Sequence, residues 1–396
     1  MHFISNLKYI LLCLLVFLMA ISYHPYFFGD INAEVELGNR VLSLPIYILF
    51  ATLIVLSFLS LRNINSKLFR VSLVSFIIIG VLAMFVLAVF GDANMITDIK
   101  ALFFVFASIV IGKSLNLSER KLVILVTIFG FAALFSGIMQ VYQNIGGFII
   151  LDQYRANSKN SLGAILATAV ISFIYAASKS KKGVSIAFYA FAFLGVVVVL
   201  TIRARASFLA IVLVVIAIFM RQIKSKSVIW SLVILMLASL LLFILPEGVS
   251  NFVVESITAG SQGTDITSGR MGTYQAALSI FSQNPFMGNI IEQQEIAWVH
   301  NYLLLKLSNF GLLFAWPFFV FYFYILIYCI KNLLRTNKSK EGLPIFYQGF
   351  SLVLIPFVIS MLEPTFPFAP GTAVAFNFIM LGLADSYHPQ QVFVKK

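Results

Sequence analysis

Residues 71–90 read VSLVSFIIIGVLAMFVLAVF, a stretch of twenty residues without a charged side chain. A helix of this length spans about 30 Å, which is the thickness of the hydrocarbon core of a bilayer. Its apolar residues would cover every face of that helix, so the segment suits lipid better than the surface of a soluble protein. The stretch predicts a membrane-spanning helix.

The composition of the whole chain agrees with a membrane protein. The 396 residues are 61% hydrophobic and only 11% charged, whereas soluble domains are about 25% charged. These values exclude a soluble enzyme, a disordered chain and a nucleic-acid-binding domain. The net charge of +12 is instead typical of cytoplasmic membrane loops. Cys13 and Cys329 lie in apolar runs, which indicates neither a disulfide framework nor a metal cluster.

Apolar runs recur along the chain at lengths that fit helices. We predict an all-α polytopic membrane protein with about 12 transmembrane helices, forming a single domain over residues 1–396. The predicted runs lie near 7–22, 43–61, 71–90, 99–112, 121–141, 161–177, 184–201, 206–220, 227–245, 299–330, 344–361 and 370–386.

The distribution of charge predicts the orientation of these helices. If both termini are cytoplasmic, most of the 27 lysines and arginines fall in cytoplasmic loops and most of the 15 acidic residues fall outside. Residues 246–299 then form a large periplasmic loop between helices 9 and 10. Within this loop, 270–283 is predicted to be a short amphipathic helix with an apolar stripe of Ala276, Ala277, Ile280 and Phe281.

Cations on the predicted outer face are informative because the charge bias disfavours them. Arg203 and Arg205 lie in a short outer turn, Arg155 and Lys159 form a second pair, and Arg270 is a third point. The planar guanidinium group can bind phosphate through two hydrogen bonds. The alternative interpretation is that these side chains contact lipid headgroups or solvent.

His300 lies at the predicted outer start of a helix, where an imidazole could accept a proton at neutral pH. A histidine that only bonds to Asn301 or to the backbone is the alternative. Lys306 is expected to extend to the outer surface, and Glu363 could orient a substrate hydroxyl or an arginine. Glu34 and Glu36 are interpreted as a solvated acidic loop, so no metal site and no cofactor are predicted. The sequence contains no nucleotide-binding motif.

Three segments resemble elements of the O-antigen ligase/polymerase superfamily. They are Thr267–Gly288 (TSGRMGTYQAALSIFSQNPFMG), His300-Asn301-Tyr-Leu with Gly311 beyond it, and Arg205-Ala-Ser-Phe-Leu209. Their order, with an arginine turn, a large outer loop and then a histidine, is also similar to that family.

The resemblance implies glycosyl transfer at the periplasmic face of the bacterial inner membrane, without a metal and with inversion. The donor would be an oligosaccharide on undecaprenyl pyrophosphate. His300 would be the catalytic base, Arg205, Arg270 and Arg203 would bind the pyrophosphate, and Tyr274, Asn301 and Glu363 are possible substrate contacts. A chain-length-regulating co-polymerase is an expected partner, besides the lipid bilayer.

The choice of acceptor separates a polymerase from a ligase. A polymerase joins two lipid-linked glycans and must handle two pyrophosphates, which suits a second cation pair at Arg155 and Lys159. Residues 154–163 also resemble a Lys-Asn-x-x-Gly element of polymerases. We therefore predict an O-antigen polymerase, with a ligase that transfers glycan to lipid A–core as the alternative. A lipid-linked glycan flippase or a secondary transporter is a more remote alternative.

Overall fold

The computed structural model describes residues 2–28, 42–60, 66–91, 94–143, 159–202, 204–222, 270–292, 299–335, 345–364, 366–368 and 372–392. Over these ranges the chain is all-helical and has no strand. Its thirteen helices are α1 (His2–Ile21), α2 (Pro25–Phe28), α3 (Ser43–Phe58), α4 (Lys67–Phe90), α5 (Asn94–Lys113), α6 (Glu119–Gln143), α7 (Lys159–Lys179), α8 (Lys182–Thr201), α9 (Arg205–Gln222), α10 (Arg270–Gln283), α11 (Tyr302–Arg335), α12 (Ile345–Ser360) and α13 (Thr372–Val392).

The helices have the length and composition of a membrane protein. Within the described ranges, seven of them are long and apolar enough to cross a membrane, namely α1, α4, α5, α6, α7, α8 and α11. Helices α3, α9, α12 and α13 are apolar but shorter. Eleven of the predicted apolar runs coincide with these helices, while the ninth run, 227–245, lies outside the described residues.

Helix α4 shows how the sequence sets the ends of such a helix. Ser66 precedes it in an extended conformation, and its hydroxyl oxygen accepts a hydrogen bond from the Phe69 amide at 3.2 Å. Gly91 ends the helix with a φ of 71°, a left-handed conformation that glycine adopts without steric cost. The apolar run between the two caps supplies no other stop signal.

Lysines from several helices meet at one end of the bundle, which we call the lysine end. Lys8 of α1 donates to the Ser60 hydroxyl after α3 at 2.7 Å and to the Ser114 carbonyl after α5 at 2.8 Å. Lys113 of α5 donates to Ser66 before α4 and forms an ion pair of 2.5 Å with Asp385 of α13.

Other contacts extend the lysine end to α6, α7, α9 and α12. A Cβ atom on Gly349 of α12 would lie 2.6 Å from the side chain of Ala384, the neighbour of Asp385 in α13. Lys121 at the start of α6 donates to Asn6 at 3.0 Å, and Lys179 at the end of α7 pairs with Glu119. The hydroxyl of Tyr347, near the start of α12, donates to the carbonyl of Ala217 in α9 at 3.3 Å. N-terminal and C-terminal helix ends therefore meet in turn at the lysine end. It follows that successive helices run in opposite directions over α1, α3, α4, α5, α6 and α7.

The core of the bundle lies around α7, which contacts α6, α8, α9, α12 and α13. Small residues allow backbones to approach closely nearby. A Cβ atom on Gly112 of α5 would lie 2.0 Å from the carbonyl oxygen of Ile379 in α13, and one on Gly382 would lie 2.2 Å from that of Ile109. Contact at such short range is the usual way that membrane helices pack without a hydrophobic driving force.

Helix α11 reverses direction at Gly311, where the backbone has a φ of 57° and a ψ of −173°. The ring of Tyr302 stacks on that of Tyr322 with centroids 6.0 Å apart, although twenty residues of straight helix would separate them by about 30 Å. Residues 302–310, here called the short arm, therefore fold back along residues 312–335, the long arm. The predicted run at 299–330 is therefore not one straight helix, because it folds back at Gly311.

The loop at 285–289 contacts the point where α11 reverses direction. The amides of Leu312 and Leu313 donate to the carbonyls of Pro285 and Phe286 at 2.9 and 3.0 Å, while the amide of Asn289 donates to the Ser308 carbonyl at 2.9 Å. These bonds satisfy backbone groups that helix ends leave without partners. The Asn-Pro-Phe-Met-Gly sequence at 284–288 thus has a structural role in holding the two arms together.

Candidate functional site

The polar residues of the site meet where α10, the start of the short arm and the segment after α12 come together. The hydroxyl of Tyr274 in α10 donates to the backbone carbonyl of His300 at 3.0 Å. Asn301 accepts a hydrogen bond from the Leu304 amide at 3.0 Å and donates to the Met361 carbonyl at 3.2 Å. Asn301 is therefore the N-cap of the short arm and also ties it to the segment that carries Glu363.

His300 is held with one ring nitrogen inside the protein and the rest of the ring partly open. Its Nδ1 atom is buried, makes no hydrogen bond and lies 3.7 Å from Oε2 of Glu363. The side chain as a whole is 35% exposed. Glu363 itself is buried. A carboxylate behind one imidazole nitrogen can orient the ring and stabilise its protonated form, leaving the other nitrogen for a substrate.

An apolar crevice opens beside this polar group. It has a volume of about 380 Å³ and is lined by Tyr274, Asn301, Leu303, Leu304, Leu307, Phe319 and Phe323. The lining comes from α10 and from both arms of α11, so the crevice exists because α11 folds back on itself. Among the described residues that line it, the polar ones are Tyr274 and Asn301, which contact or adjoin His300.

A buried ion pair holds the short arm against α5. Lys306 is only 5% exposed, and its Nζ atom lies 2.5 Å from Oδ1 of Asp98 and 5.5 Å from the centres of the Phe310 and Phe318 rings. The expectation that Lys306 extends to the surface is wrong.

The described backbone places three of the predicted cations, and the side chain of Arg205 is exposed. Lys159 and Arg205 begin α7 and α9, and a Cβ atom on Gly163 of α7 would lie 2.5 Å from the Ala204 side chain, so the first turns of the two helices are adjacent. Arg270 begins α10, one turn before Tyr274. Arg155 and Arg203 lie outside the described residues, as do Glu34 and Glu36.

The predicted stripe on α10 is partly buried. Ala277 is fully buried, Ile280 and Phe281 are half-buried, and Ala276 is exposed. Among the described residues, no three His, Cys, Asp or Glu side chains form a group that could hold a metal ion. No protein-family model and no curated protein matches this chain.

Proposed function

We propose that this protein is a membrane glycosyltransferase that acts on a glycan linked to undecaprenyl pyrophosphate, and that it is an O-antigen polymerase. The observation that carries the proposal is the pairing of His300 with Glu363 beside an apolar crevice. A base next to an apolar surface is what a transferase needs when its substrate is a sugar carried by a lipid. The resemblance of residues 205–209, 267–288 and 300–311 to the superfamily supports the same function.

The reaction would begin with His300 as the general base. Its Nε2 atom takes the proton from the acceptor hydroxyl while the hydroxyl oxygen forms a bond to the anomeric carbon of the donor. The bond from that carbon to the pyrophosphate oxygen breaks, and the pyrophosphate leaves with the electron pair. Glu363 stabilises the resulting imidazolium, and Arg205 with Arg270 binds the charge that develops on the leaving group.

The proposed topology has twelve crossings, with the lysine end in the cytoplasm and the site facing the periplasm of the inner membrane. The alternating directions of α1 to α7 support this arrangement, since helix starts and ends meet at the lysine end in turn. Helix α9 reaches the lysine end at Ala217, whereas α10 lies beside His300. The predicted ninth run, 227–245, would supply the crossing between them.

The polymerase is favoured over the ligase by the neighbouring starts of α7 and α9, which bring the backbones of Lys159 and Arg205 together. Cations at these two helix starts would suit two lipid pyrophosphates. A deletion strain separates the two enzymes. Loss of a polymerase should leave lipopolysaccharide with a single repeat on the core, whereas bare core with polymer accumulating on undecaprenyl pyrophosphate would identify a ligase.

The catalytic assignment is tested by replacing His300. His300→Ala should abolish transfer by the purified protein from an undecaprenyl-pyrophosphate-linked repeat, because the acceptor proton then has no base. His24→Ala is the matched control, since Nδ1 of His24 accepts a hydrogen bond from the Tyr26 amide at 3.2 Å and its ring stacks on Phe135. Full transfer by a well-folded His300→Ala protein would overturn the assignment.

A further inference from the structure

The short arm of α11 is held near its centre by one buried cation. The Nζ atom of Lys306 lies 2.5 Å from Oδ1 of Asp98 in α5 and 5.3 Å from the centre of the Tyr302 ring. Two further rings, those of Phe310 and Phe318, have their centres 5.5 Å from the same nitrogen. A carboxylate and the faces of aromatic rings both attract an ammonium group. These contacts hold the short arm against α5 at one defined point.

Tyr302 connects this cation to both members of the His300–Glu363 pair. It lies two residues after His300 in the chain. Its ring stacks on that of Tyr322, whose hydroxyl is 2.9 Å from the hydroxyl of Ser360 at the end of α12. Ser360 in turn lies three residues before Glu363. The segments that carry the imidazole and the carboxylate are therefore joined through the rings beside the ammonium group.

We propose that Lys306, together with Asp98, is a positioning residue that sets the distance between His300 and Glu363. The inference rests on the proposed function, in which Glu363 stabilises the imidazolium. Nδ1 of His300 and Oε2 of Glu363 are 3.7 Å apart, which is beyond the hydrogen-bond range of about 2.7–3.2 Å. A shift of about 1 Å therefore decides whether the two groups bond, and a misplacement of about 1 Å can lower a reaction rate about a hundredfold.

A buried ion pair suits this role better than apolar packing does. Two charges lose their hydration on burial, and apolar residues of similar volume often stabilise a protein as well or better. Apolar contacts have no preferred direction, whereas an ammonium group must stay within reach of its carboxylate. Replacing the pair with leucine and methionine should therefore restore stability without restoring the position of His300.

Chemical modification of histidine measures that position without any substrate. Diethyl pyrocarbonate would be applied to the wild-type protein and to the double variant Asp98→Leu with Lys306→Met, and peptide mass spectrometry would give the rate at each histidine. We expect the rate at His300 to rise severalfold in the double variant, because the ring is no longer held against Glu363. The rate at His24 should stay the same. A wild-type rate at His300 in a well-folded double variant would overturn the inference.

The ion pair at the lysine end provides a matched control. Lys113 and Asp385 are also buried and 2.5 Å apart. Lys113→Met with Asp385→Leu removes the same two charges and should leave the rate at His300 unchanged. An equal rise in both double variants would mean a general loosening of the bundle, and the positioning role would be wrong.

A milder variant tests the same role if the first double variant does not fold. Asp98→Glu keeps both charges and lengthens the acid by one methylene group, so the ion pair remains while Lys306 must move. We expect faster modification of His300 in this variant as well. An unchanged rate in Asp98→Glu would count against the positioning role.

A transfer assay separates this inference from the proposed function. The double variant Asp98→Leu with Lys306→Met should lower kcat about tenfold or more with little change in KM for the lipid-linked donor, while Lys113→Met with Asp385→Leu leaves both unchanged. Faster modification of His300, with no transfer even by the wild-type protein, would support the positioning role and refute the glycosyltransferase. Wild-type transfer with an unaltered kcat in the double variant would refute the positioning role alone.

Discussion

Replacing Gly311 with alanine should destabilise the protein and displace His300. The φ of 57° and ψ of −173° at this position belong to a region that is almost restricted to glycine. An added Cβ atom would also lie 2.4 Å from the carbonyl oxygen of Phe286 and 2.6 Å from the amide nitrogen of Gly288. Both neighbours are backbone atoms, so they cannot move aside as the end of a flexible side chain would.

The size of the effect follows from these contacts. The backbone conformation costs about 1–3 kcal/mol for a residue with a Cβ atom, and loss of the hydrogen bonds from Leu312 and Leu313 adds about 1 kcal/mol each. Alanine lowers the entropy of the unfolded chain, which offsets about 0.4–1 kcal/mol. The net loss is roughly 2–5 kcal/mol, a large part of a typical folding free energy of about 5–15 kcal/mol.

Thermal unfolding in detergent, followed by tryptophan fluorescence, measures this loss. Gly80→Ala is the matched control, because a Cβ atom on Gly80 in α4 has nothing within 4 Å, and alanine should stabilise a helix there by about 0.5–1 kcal/mol. We expect a lower Tm for Gly311→Ala and an unchanged or higher Tm for Gly80→Ala. Equal Tm values for the two variants would refute the reversal at Gly311.

Three further predictions concern charge. Asp98→Asn leaves the buried Lys306 without its charged partner and should lower the free energy of unfolding by about 3–5 kcal/mol. The double variant Asp98→Leu with Lys306→Met should recover most of the Tm that Asp98→Asn loses. Failure of that recovery would argue against the ion pair. Arg205→Lys should lower transfer because lysine lacks the planar fork, and Arg203 should tolerate substitution better than Arg205. A fully active Arg205→Lys protein with an inactive Arg203→Ala protein would show that the wrong arginine was assigned. Transfer should survive EDTA, so activity that is lost on chelation and restored by magnesium would contradict a metal-independent mechanism.

The helices could be predicted from the sequence because apolar runs of about 20 residues have few alternatives in a bilayer. Helices lie at eleven of the predicted runs, since each depends on local composition. The charge bias also predicted that most lysines would lie at one end of the helices, and in the structure Lys8, Lys113 and Lys179 meet at the lysine end.

The site depended on contacts between distant segments, and a composition pattern does not record these. From the sequence, Glu363 was only a possible substrate contact, and its position behind Nδ1 of His300 requires the segment after α12 to meet the start of α11. The burial of Lys306 could not be predicted either, because its partner Asp98 is 208 residues away along the chain.

The reversal at Gly311 shows most clearly what the sequence determines and what the tertiary structure decides. The apolar sequence on both sides of this residue is compatible with one continuous helix, and local propensity alone favours that helix. Only the tertiary structure places the loop at 285–289 against Gly311, where the carbonyls of Pro285 and Phe286 bond to the amides of Leu312 and Leu313. The sequence by itself determined which segments are helical and apolar. The close packing of the Gly288 backbone on the Gly311 backbone decided that α11 folds back, and so where His300 and the crevice lie.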